Sequence, residues 1–181
     1  MSVKSELQQE LETTRLAFHE LLESIPDKTF SLPSGNSAWN IGEVLYHMSI
    51  ARRMIGADVR MITGQNWTYR WIAILVPKSF FNWLNTRLTR FGARHMSREF
   101  LALSYDRANE SAVRALTSIP EGDFNRGLDY PDWDPMLAGE VTLERLFRYI
   151  MLHFEHHAFE IRDQLAVEEA VVSSTAIFEE V

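Results

Sequence analysis

The residues with the clearest chemical potential are two histidines near the end of the chain. His153 and His157 are four residues apart in a segment whose apolar residues, such as Leu146 and Ile150, recur at three- and four-residue spacing. This periodicity predicts a helix with both imidazoles one turn apart in its apolar seam. Burying two imidazoles without partners costs about 1–3 kcal/mol each, whereas both rings can bind one metal ion. A shared divalent cation is therefore the favoured explanation for the pair.

A third histidine lies in an earlier segment of the chain. His47 follows Val44 by three residues and precedes Ala51 by four, so it borders the apolar face of another predicted helix. Metal sites in helical bundles are built from side chains on facing helices, and three neutral imidazoles leave positions for water or substrate. The sequence therefore predicts one divalent ion bound by His47, His153 and His157, in a site of the catalytic type whose reactive group is unknown.

Ordinary roles for these histidines stay open at this stage. A single histidine beside an apolar face is more often a hydrogen-bonded core residue than a ligand, and the pattern also allows three histidines that bind nothing. The spacing of His153-Phe-Glu-His-His157 excludes the H-E-x-x-H and H-x-x-E-H zinc motifs. The di-iron bundle motif fails as well, because no glutamate lies three residues before any of the three histidines.

Several other polar residues have weaker functional interpretations. Glu43 and Glu160 each lie one helical turn from a proposed ligand and could orient an imidazole, although a solvated surface carboxylate is the favoured interpretation for both. His156 is rotated by about 100° around the helix from its neighbouring histidine, so it is interpreted as flanking the site. His19 and His95 show no pattern that indicates a functional role.

The segments that must position these residues have helical patterns. Apolar spacing predicts a first helix over 5–24. A second begins at Asn40, where Glu43 completes a capping box, and ends near Gly64, because glycine commonly follows a helix. Further helices are predicted over 78–89, over 97–116 and from the N-cap Thr142 to about Leu165, with a loop over 120–139.

The same periodicity predicts the inward faces of the helices. The predicted core residues of the first helix are Leu7, Leu11, Thr14, Phe18, Leu21 and Leu22. Those of the helix over 97–116 are Phe100, Leu103, Ala108, Val113 and Leu116. Four long helical periods without an alternating strand pattern predict an all-α four-helix bundle with a long connection between its second and third helices.

That connection, over 65–95, is unusually aromatic. It contains Trp67, Trp71 and Trp83 together with several phenylalanines and arginines. Its Trp/Phe-rich stretch over 67–83 could wall a substrate pocket or lie against a membrane surface. Additional core that covers an edge of the bundle is at least as good an interpretation.

Composition excludes several functional classes. With 181 residues and 46% hydrophobic content, the chain is predicted to be a single domain over 1–181, with a core over about 5–165 and a weakly patterned tail over 166–181. The formal net charge of −7 argues against nucleic acid as a partner. Because the chain has no cysteine, it has no thiolate ligand or cysteine nucleophile. The charged N-terminus and the absence of an apolar run of about 18 residues predict a cytoplasmic protein without a membrane span.

Two segments of the chain resemble one known family. Ala38-Trp-Asn-Ile-Gly-Glu-Val-Leu-Tyr-His47 resembles the W-S-I-x-E-x-L-x-H opening of the second helix in the DinB-like (damage-inducible) family. Val141-Thr-Leu-Glu-Arg-Leu-Phe-Arg-Tyr-Ile-Met-Leu-His153-Phe-Glu-His-His157 is similar to the T-x-x-x-L-x-H-x-x-x-H pattern of that family's fourth helix. The resemblance covers most of residues 5–165.

The resemblance implies an up-down-down-up bundle that is often dimeric, so a homodimer is expected. It also implies a divalent site for zinc, nickel or a similar ion at His47, His153 and His157. Characterised relatives include S-transferases that use a low-molecular-weight thiol such as bacillithiol or mycothiol, and a mycothiol-dependent maleylpyruvate isomerase. The chain departs from the common family pattern at Glu160, where a glutamine often stands, and in the aromatic connection over 65–95.

Two classes of function are compatible with these features. The first is a metal-dependent transferase for a small-molecule substrate, in which the ion lowers the pKa of a thiol that must come from a co-substrate. A hydrolase with water in place of the thiol is a close variant. The second class is a non-catalytic module, such as a metal-stabilised dimer, a metal or ligand binder, or a stress protein without turnover. An open coordination position beside a pocket indicates catalysis, whereas a fourth protein ligand indicates a structural site.

Overall fold

The computed structural model describes residues 2–64, 71 and 74–179, without the side chains of residues 95, 169 and 171–179. Its helices are α1 (Val3–Ser24), α2 (Ile41–Ile62), α3 (Lys78–Gly92), α4 (Arg98–Thr117) and α5 (Leu143–Glu179). Two strands, β1 (Gly127–Tyr130) and β2 (Gly139–Thr142), pair between α4 and α5. Short 3₁₀ turns occupy Asp27–Thr29, Ala93–His95 and Glu121–Asp123.

The four long helices pack around a common core. α1 and α2 each contact both α4 and α5, and α3 lies against α2. The chain is therefore mainly helical, as predicted, and the up-down-down-up order of its helices stays a prediction. Among the described residues, no helix has the length and apolar character needed to cross a membrane.

A layer of buried polar side chains divides the core into two apolar clusters. On α5, Ile150 belongs to one cluster and Phe154 to the other, and His153 lies between them in the sequence. On α2 the buried Arg52 shares a small internal cavity with His153. Its guanidinium donates a hydrogen bond to the hydroxyl of Tyr105 at 2.7 Å. The predicted metal ligands therefore lie next to a polar layer inside the bundle.

Both ends of α2 follow the sequence prediction. The side chain of Asn40 accepts a hydrogen bond from the amide of Glu43 at 2.8 Å, and the amide of Asn40 donates to Glu43 Oε2 at 3.0 Å. Gly64 follows the last turn with a φ of +76°, a conformation that favours glycine. These ends fix the position of the turn that carries His47. The six core residues predicted for α1 are also all buried.

The buried face of α4 differs from the predicted one. Leu103 is 49% exposed, and Phe100 and Val113 are only half-buried. The buried residues are Leu101, Ser104, Tyr105, Ala108, Asn109, Ala112 and Leu116. Two polar members of this face, Tyr105 and Asn109, hydrogen-bond to the buried arginine of α2. Apolar periodicity therefore predicted Ala108 and Leu116 correctly, was wrong for Leu103, and missed the polar members of this face.

The segment over 120–139, predicted as a loop, contains part of an antiparallel sheet. β1 and β2 pair with Leu128 opposite Val141 and Tyr130 opposite Gly139. The side chains of Val141 and Tyr130 are buried against the bundle, which holds the strands in place. Strands of four residues are too short to show a clear alternating pattern. The all-α prediction is therefore wrong in this detail, because a two-stranded sheet accompanies the helices.

The last helix is longer than predicted. The prediction ended it near Leu165 and left a weakly patterned tail over 166–181, but the backbone is helical to Glu179. No glycine or proline follows Leu165, so the sequence contains no strong signal that stops the helix. Its start agrees with the prediction, because Thr142 Oγ1 accepts a hydrogen bond from the amide of Arg145 at 3.2 Å.

The predicted short helix of the aromatic connection is present as α3. Trp67 lies outside the described residues. Trp71 and Trp83 are 57% and 54% exposed, so their interpretation as additional core is wrong. Phe81 instead stacks on Trp133, with 4.7 Å between the ring centroids, and this contact anchors α3 to the segment between the two strands.

Candidate metal centre

Three imidazoles converge between α2 and α5. α2 contributes His47, and α5 contributes His153 and His157, which are one helical turn apart. The three residues are only 6–8% exposed, and their ring centroids are 4.6–5.2 Å apart. One possible ligand nitrogen from each ring lies within 4.8 Å of the other two. The structure thus brings together the three residues that the sequence predicted as metal ligands.

The separation of the nitrogens fits a shared cation. Nε2 of His47 and Nε2 of His153 are 3.2 Å apart. Two ligands of a tetrahedral ion with bonds of about 2.0–2.1 Å are separated by about 3.3 Å. Without an ion, one of the two nitrogens must carry a proton for the other to accept. With an ion, both can direct their lone pairs at the same centre.

Burial keeps these imidazoles uncharged. It lowers the pKa of His47 to about 3, with an additional contribution from the charge of His157, while Asn85 on α3 opposes the shift. Burial also lowers the pKa of His153 well below its ordinary value, and the neighbouring histidines add to the effect. Neutral imidazole is the form that binds metal ions, so the cluster is in a binding-competent state near pH 7.

Glu160 holds the outer nitrogen of His157. Its Oε2 lies 2.7 Å from Nδ1 of the imidazole, and the side chain is only 23% exposed. A hydrogen bond from Nδ1 to the carboxylate leaves Nε2 free, an arrangement common around metal-binding histidines. Burial lowers the pKa of His157, and Glu160 opposes this shift. The interpretation of Glu160 as a solvated carboxylate is therefore wrong, whereas Glu43 belongs to the cap of α2.

Two further histidines whose side chains the structure describes lie outside the cluster of three. The side chain of His156 is 55% exposed, and its Nε2 is 3.4 Å from Glu160, which agrees with a flanking position. His19 on α1 pairs instead with Asp106 at 2.8 Å. The side chain of His95 lies outside the described residues.

Aromatic rings fix the orientation of two of the imidazoles. Trp39, the residue before the cap of α2, stacks on His47 with 4.4 Å between centroids. The ring of Tyr149, one turn before His153, lies 5.2 Å from that imidazole. Tyr149 donates a hydrogen bond to Asp134 at 2.6 Å, and burial raises the pKa of its hydroxyl well above the ordinary value. These contacts restrict rotation of the rings that would hold the ion.

The imidazole cluster faces a pocket of about 440 Å³, and all three histidines lie on its wall. This volume is within the range that small molecules occupy in proteins. Other parts of the wall come from α2, α3, α5 and the segment around the two strands, including Asp58, Asn82, Asn85, Tyr130, Trp133 and Asp134. Among the described residues, no lysine or arginine lines the pocket.

Two phenol–carboxylate pairs on this wall were not predicted from the sequence. Tyr130 donates a hydrogen bond to Asp58 at 2.9 Å, and Tyr149 donates to Asp134. Helical spacing could have indicated two of these four residues. Asp58 lies eleven residues, or about three turns, after His47 on α2, and Tyr149 lies one turn before the predicted ligand His153 on α5. Tyr130 and Asp134 belong to the strand region, where no periodic pattern indicates them.

Comparison with protein families agrees with this arrangement. The sequence profile of the DinB superfamily matches residues 10–161 of the chain. The chain belongs to the DinB superfamily. The matched range includes all three histidines of the cluster, so the resemblance seen in the sequence is confirmed at the level of the superfamily. No curated protein and no solved structure matches the chain. The reaction of this DinB protein is therefore argued from its site.

Proposed function

We propose that this DinB protein binds one divalent cation, zinc or nickel, through His47, His153 and His157, and that it transfers a low-molecular-weight thiol to a small-molecule substrate. The observation that supports this most strongly is that the three imidazoles face a pocket of about 440 Å³ instead of a closed core. An ion held by these three residues would have coordination positions left for water or substrate, as catalytic metal sites do.

The ligand count also favours an open site. A structural zinc site is closed by a fourth protein ligand. Within the described part of the chain, the group of mutually close ligand atoms around His47, His153 and His157 includes no fourth residue. Nitrogen ligands of this kind are suited to zinc and nickel, which are also the ions that the family resemblance implies.

The chemistry follows from the ion and from the absence of cysteine. A divalent cation lowers the pKa of a coordinated thiol or water, which makes either one a nucleophile at neutral pH. Because the chain contains no cysteine, the thiol is a co-substrate. The side chains around it have positioning roles: Glu160 and Trp39 hold the imidazoles, and the stacked rings of Phe81 and Trp133 cover one side of the pocket. A hydrolase that uses water in place of the thiol is a close variant of the same site.

The alternative is a non-catalytic bundle that binds a metal or a small ligand. The observation that supports it is that the three histidines belong to two different helices, so that a bound ion would link α2 to α5. In that case the ion contributes to folding and does not act on a substrate. The two proposals differ in turnover and in the effect of metal removal.

An activity assay with the metal-loaded protein separates these proposals. The protein, loaded with zinc or nickel, is mixed with bacillithiol, mycothiol, glutathione or cysteine and with a chromogenic acceptor that carries a leaving group on its electrophilic carbon. The thiol loses its proton to solvent, the sulfur–carbon bond forms as the bond to the leaving group breaks, and the change in absorbance is followed. The proposal predicts turnover with at least one thiol, loss of turnover in a folded His153→Ala variant, and normal turnover in the control His156→Ala. Absence of turnover with every thiol, together with unfolding on chelation, would contradict it and support the non-catalytic bundle.

A further inference from the structure

Most of the large apolar side chains of the helix α3 face solvent, whereas Phe81 packs against the bundle. Thr89 is fully buried, and Asn85 lines the pocket. At the end of the helix, Gly92 lies against the ring of Tyr46 so closely that a Cβ atom would not fit. The outer side carries Phe80, Trp83, Leu84, Leu88 and Phe91, which are 37–65% exposed. A surface helix of a globular protein normally turns its apolar residues towards the core, so the exposure of these five residues is unusual.

The exposed apolar residues of α3 share one face of the helix. Phe80, Leu84, Leu88 and Phe91 follow each other at spacings of four, four and three residues. Residues just before the helix add to the exposed apolar surface, because Trp71, Ile74 and Leu75 are 57%, 70% and 74% exposed. Trp83 is exposed on the same helix, and a concentration of exposed large apolar side chains of this kind marks an interaction surface in soluble proteins. We refer to these eight residues as the α3 face.

The charged residues of the sequence segment that carries the α3 face are all positive. The residues over 59–98 include seven Lys or Arg and no Asp or Glu, although the whole chain has a formal net charge of −7. Two of these cations lie over rings of the face itself. The guanidinium of Arg87 is 5.8 Å from the ring centroid of Trp83, and that of Arg94 is 4.6 Å from the ring centroid of Phe91.

We propose that the α3 face docks on the surface of an anionic lipid bilayer. A helix that lies in a membrane interface combines Trp, Phe and Leu on one face with Lys or Arg around it. Tryptophan favours the headgroup level, and each nearby cation is attracted to anionic lipids. α3 has all of these features, and the acid-free segment over 59–98 adds no charge that such a surface would repel.

Charge argues for a bilayer over a second copy of this chain. In a two-fold symmetric dimer, the same patch of both subunits meets, so the arginines around one α3 face would approach those of the other. The segment over 59–98 contains no carboxylate that could pair with them. An anionic membrane surface provides the opposite charge over the whole patch.

Docking through the α3 face also places the pocket close to the membrane. The opposite side of the same helix contributes Phe81, Asn82 and Asn85 to the pocket wall. Because a helix with its side chains is about 10–12 Å wide, the pocket would lie about that distance from the lipid headgroups. The proposal does not depend on the metal, so it is tested independently of the proposed reaction.

Vesicle co-sedimentation of the full-length protein tests the proposal. The vesicles consist of phosphatidylcholine alone or with about 30% phosphatidylglycerol. The test variant is Leu88→Gln with Phe91→Gln, and the matched control is Leu16→Gln with Leu103→Gln, which changes two residues that are similarly exposed elsewhere, at 50% and 49%. Circular dichroism and the mass of the particle in solution are measured for all proteins, so that misfolding and self-association are recognised.

The proposal predicts binding to anionic vesicles, weaker binding to phosphatidylcholine and a further loss at high salt. The partition coefficient is expected to fall by more than about tenfold in the α3 variant and to stay unchanged in the control. Arg87→Gln is expected to lower it by about fivefold. No binding to anionic vesicles would overturn the proposal. A wild-type dimer that the α3 variant converts to a monomer, with no vesicle binding by either protein, would overturn it as well and assign the face to self-association.

Discussion

Removal of the Glu160 carboxylate is expected to weaken metal binding without unfolding the protein. The carboxylate oxygen lies 2.7 Å from Nδ1 of His157, and the side chain is only 23% exposed, so solvent screens the contact incompletely. Removing such an outer partner of a metal-binding histidine costs about 10- to 100-fold in affinity, or about 1.4–2.7 kcal/mol. Glu160→Ala is therefore expected to bind zinc about 10- to 100-fold more weakly than the wild type.

The protonation of His157 modifies this expectation only slightly. Burial lowers its pKa and Glu160 raises it, so loss of the carboxylate lowers the pKa further. A lower pKa reduces competition from protons, which by itself would favour metal binding. Near pH 7.5 the imidazole is already neutral, so this gain is small and the lost orientation dominates. Glu160→Gln keeps an oxygen that can accept from Nδ1, and its loss is expected to be smaller than that of Glu160→Ala.

Competition with a chromophoric chelator measures these affinities directly. The matched control is Glu155→Ala, which removes an exposed carboxylate from the same helix. The control is expected to bind zinc with the affinity of the wild type. The affinity of Glu160→Gln is expected to lie between those of the control and of Glu160→Ala. Equal affinities for Glu160→Ala and Glu155→Ala would refute the argument that the carboxylate orients a metal ligand.

Three further predictions concern stability. In the metal-free protein, burial lowers the pKa of His47 to about 3 and that of His153 well below its ordinary value, so below about pH 6.5 only the unfolded chain binds these protons. The free energy of unfolding, measured with urea, should therefore decrease as the pH is lowered below this value, by up to about 1.4 kcal/mol per pH unit for each histidine. A free energy of unfolding that does not change over this pH range would contradict the prediction. Tyr105→Phe removes a hydrogen-bond acceptor from the buried Arg52, so it should lower the free energy of unfolding by about 1.5–3 kcal/mol, measured with urea. An unchanged free energy of unfolding would show that this hydrogen bond does not stabilise the protein. Zinc at about 100 times its Kd should add about 2.7 kcal/mol to the unfolding free energy, and this gain should be absent in His157→Ala.

The parts of the fold that local signals determine could be predicted from the sequence. The capping pair of Asn40 and Glu43 fixes the start of α2, and Thr142 caps α5. Once the ends of these helices are known, the cluster forms if α2 and α5 face each other, as they do in the structure. His153 and His157 are then one turn apart on α5, and His47 faces them from α2. The cluster of three was therefore predictable before any long-range contact was known.

The parts that depend on long-range contacts could not be predicted. On α4, Tyr105 is buried because it meets Arg52 from another helix, and nothing in the local sequence of α4 shows that partner. The strands β1 and β2 are stable only where the bundle covers Tyr130. The contact between Glu160 and His157 is local to α5, but the burial that leaves the Glu160 side chain only 23% exposed depends on the packing of the bundle around it.

The metal content of the untagged protein tests the central claim most directly. Elemental mass spectrometry is applied to the wild type, His47→Ala, His157→Ala and the control His156→Ala after equilibration with zinc and with nickel. About one equivalent of metal is expected in the wild type and in His156→Ala, and little in the other two, because His47 and His157 each supply one of the three imidazoles that bind the ion. Equal and negligible metal in all four proteins would contradict it, as would full metal content in His47→Ala or His157→Ala.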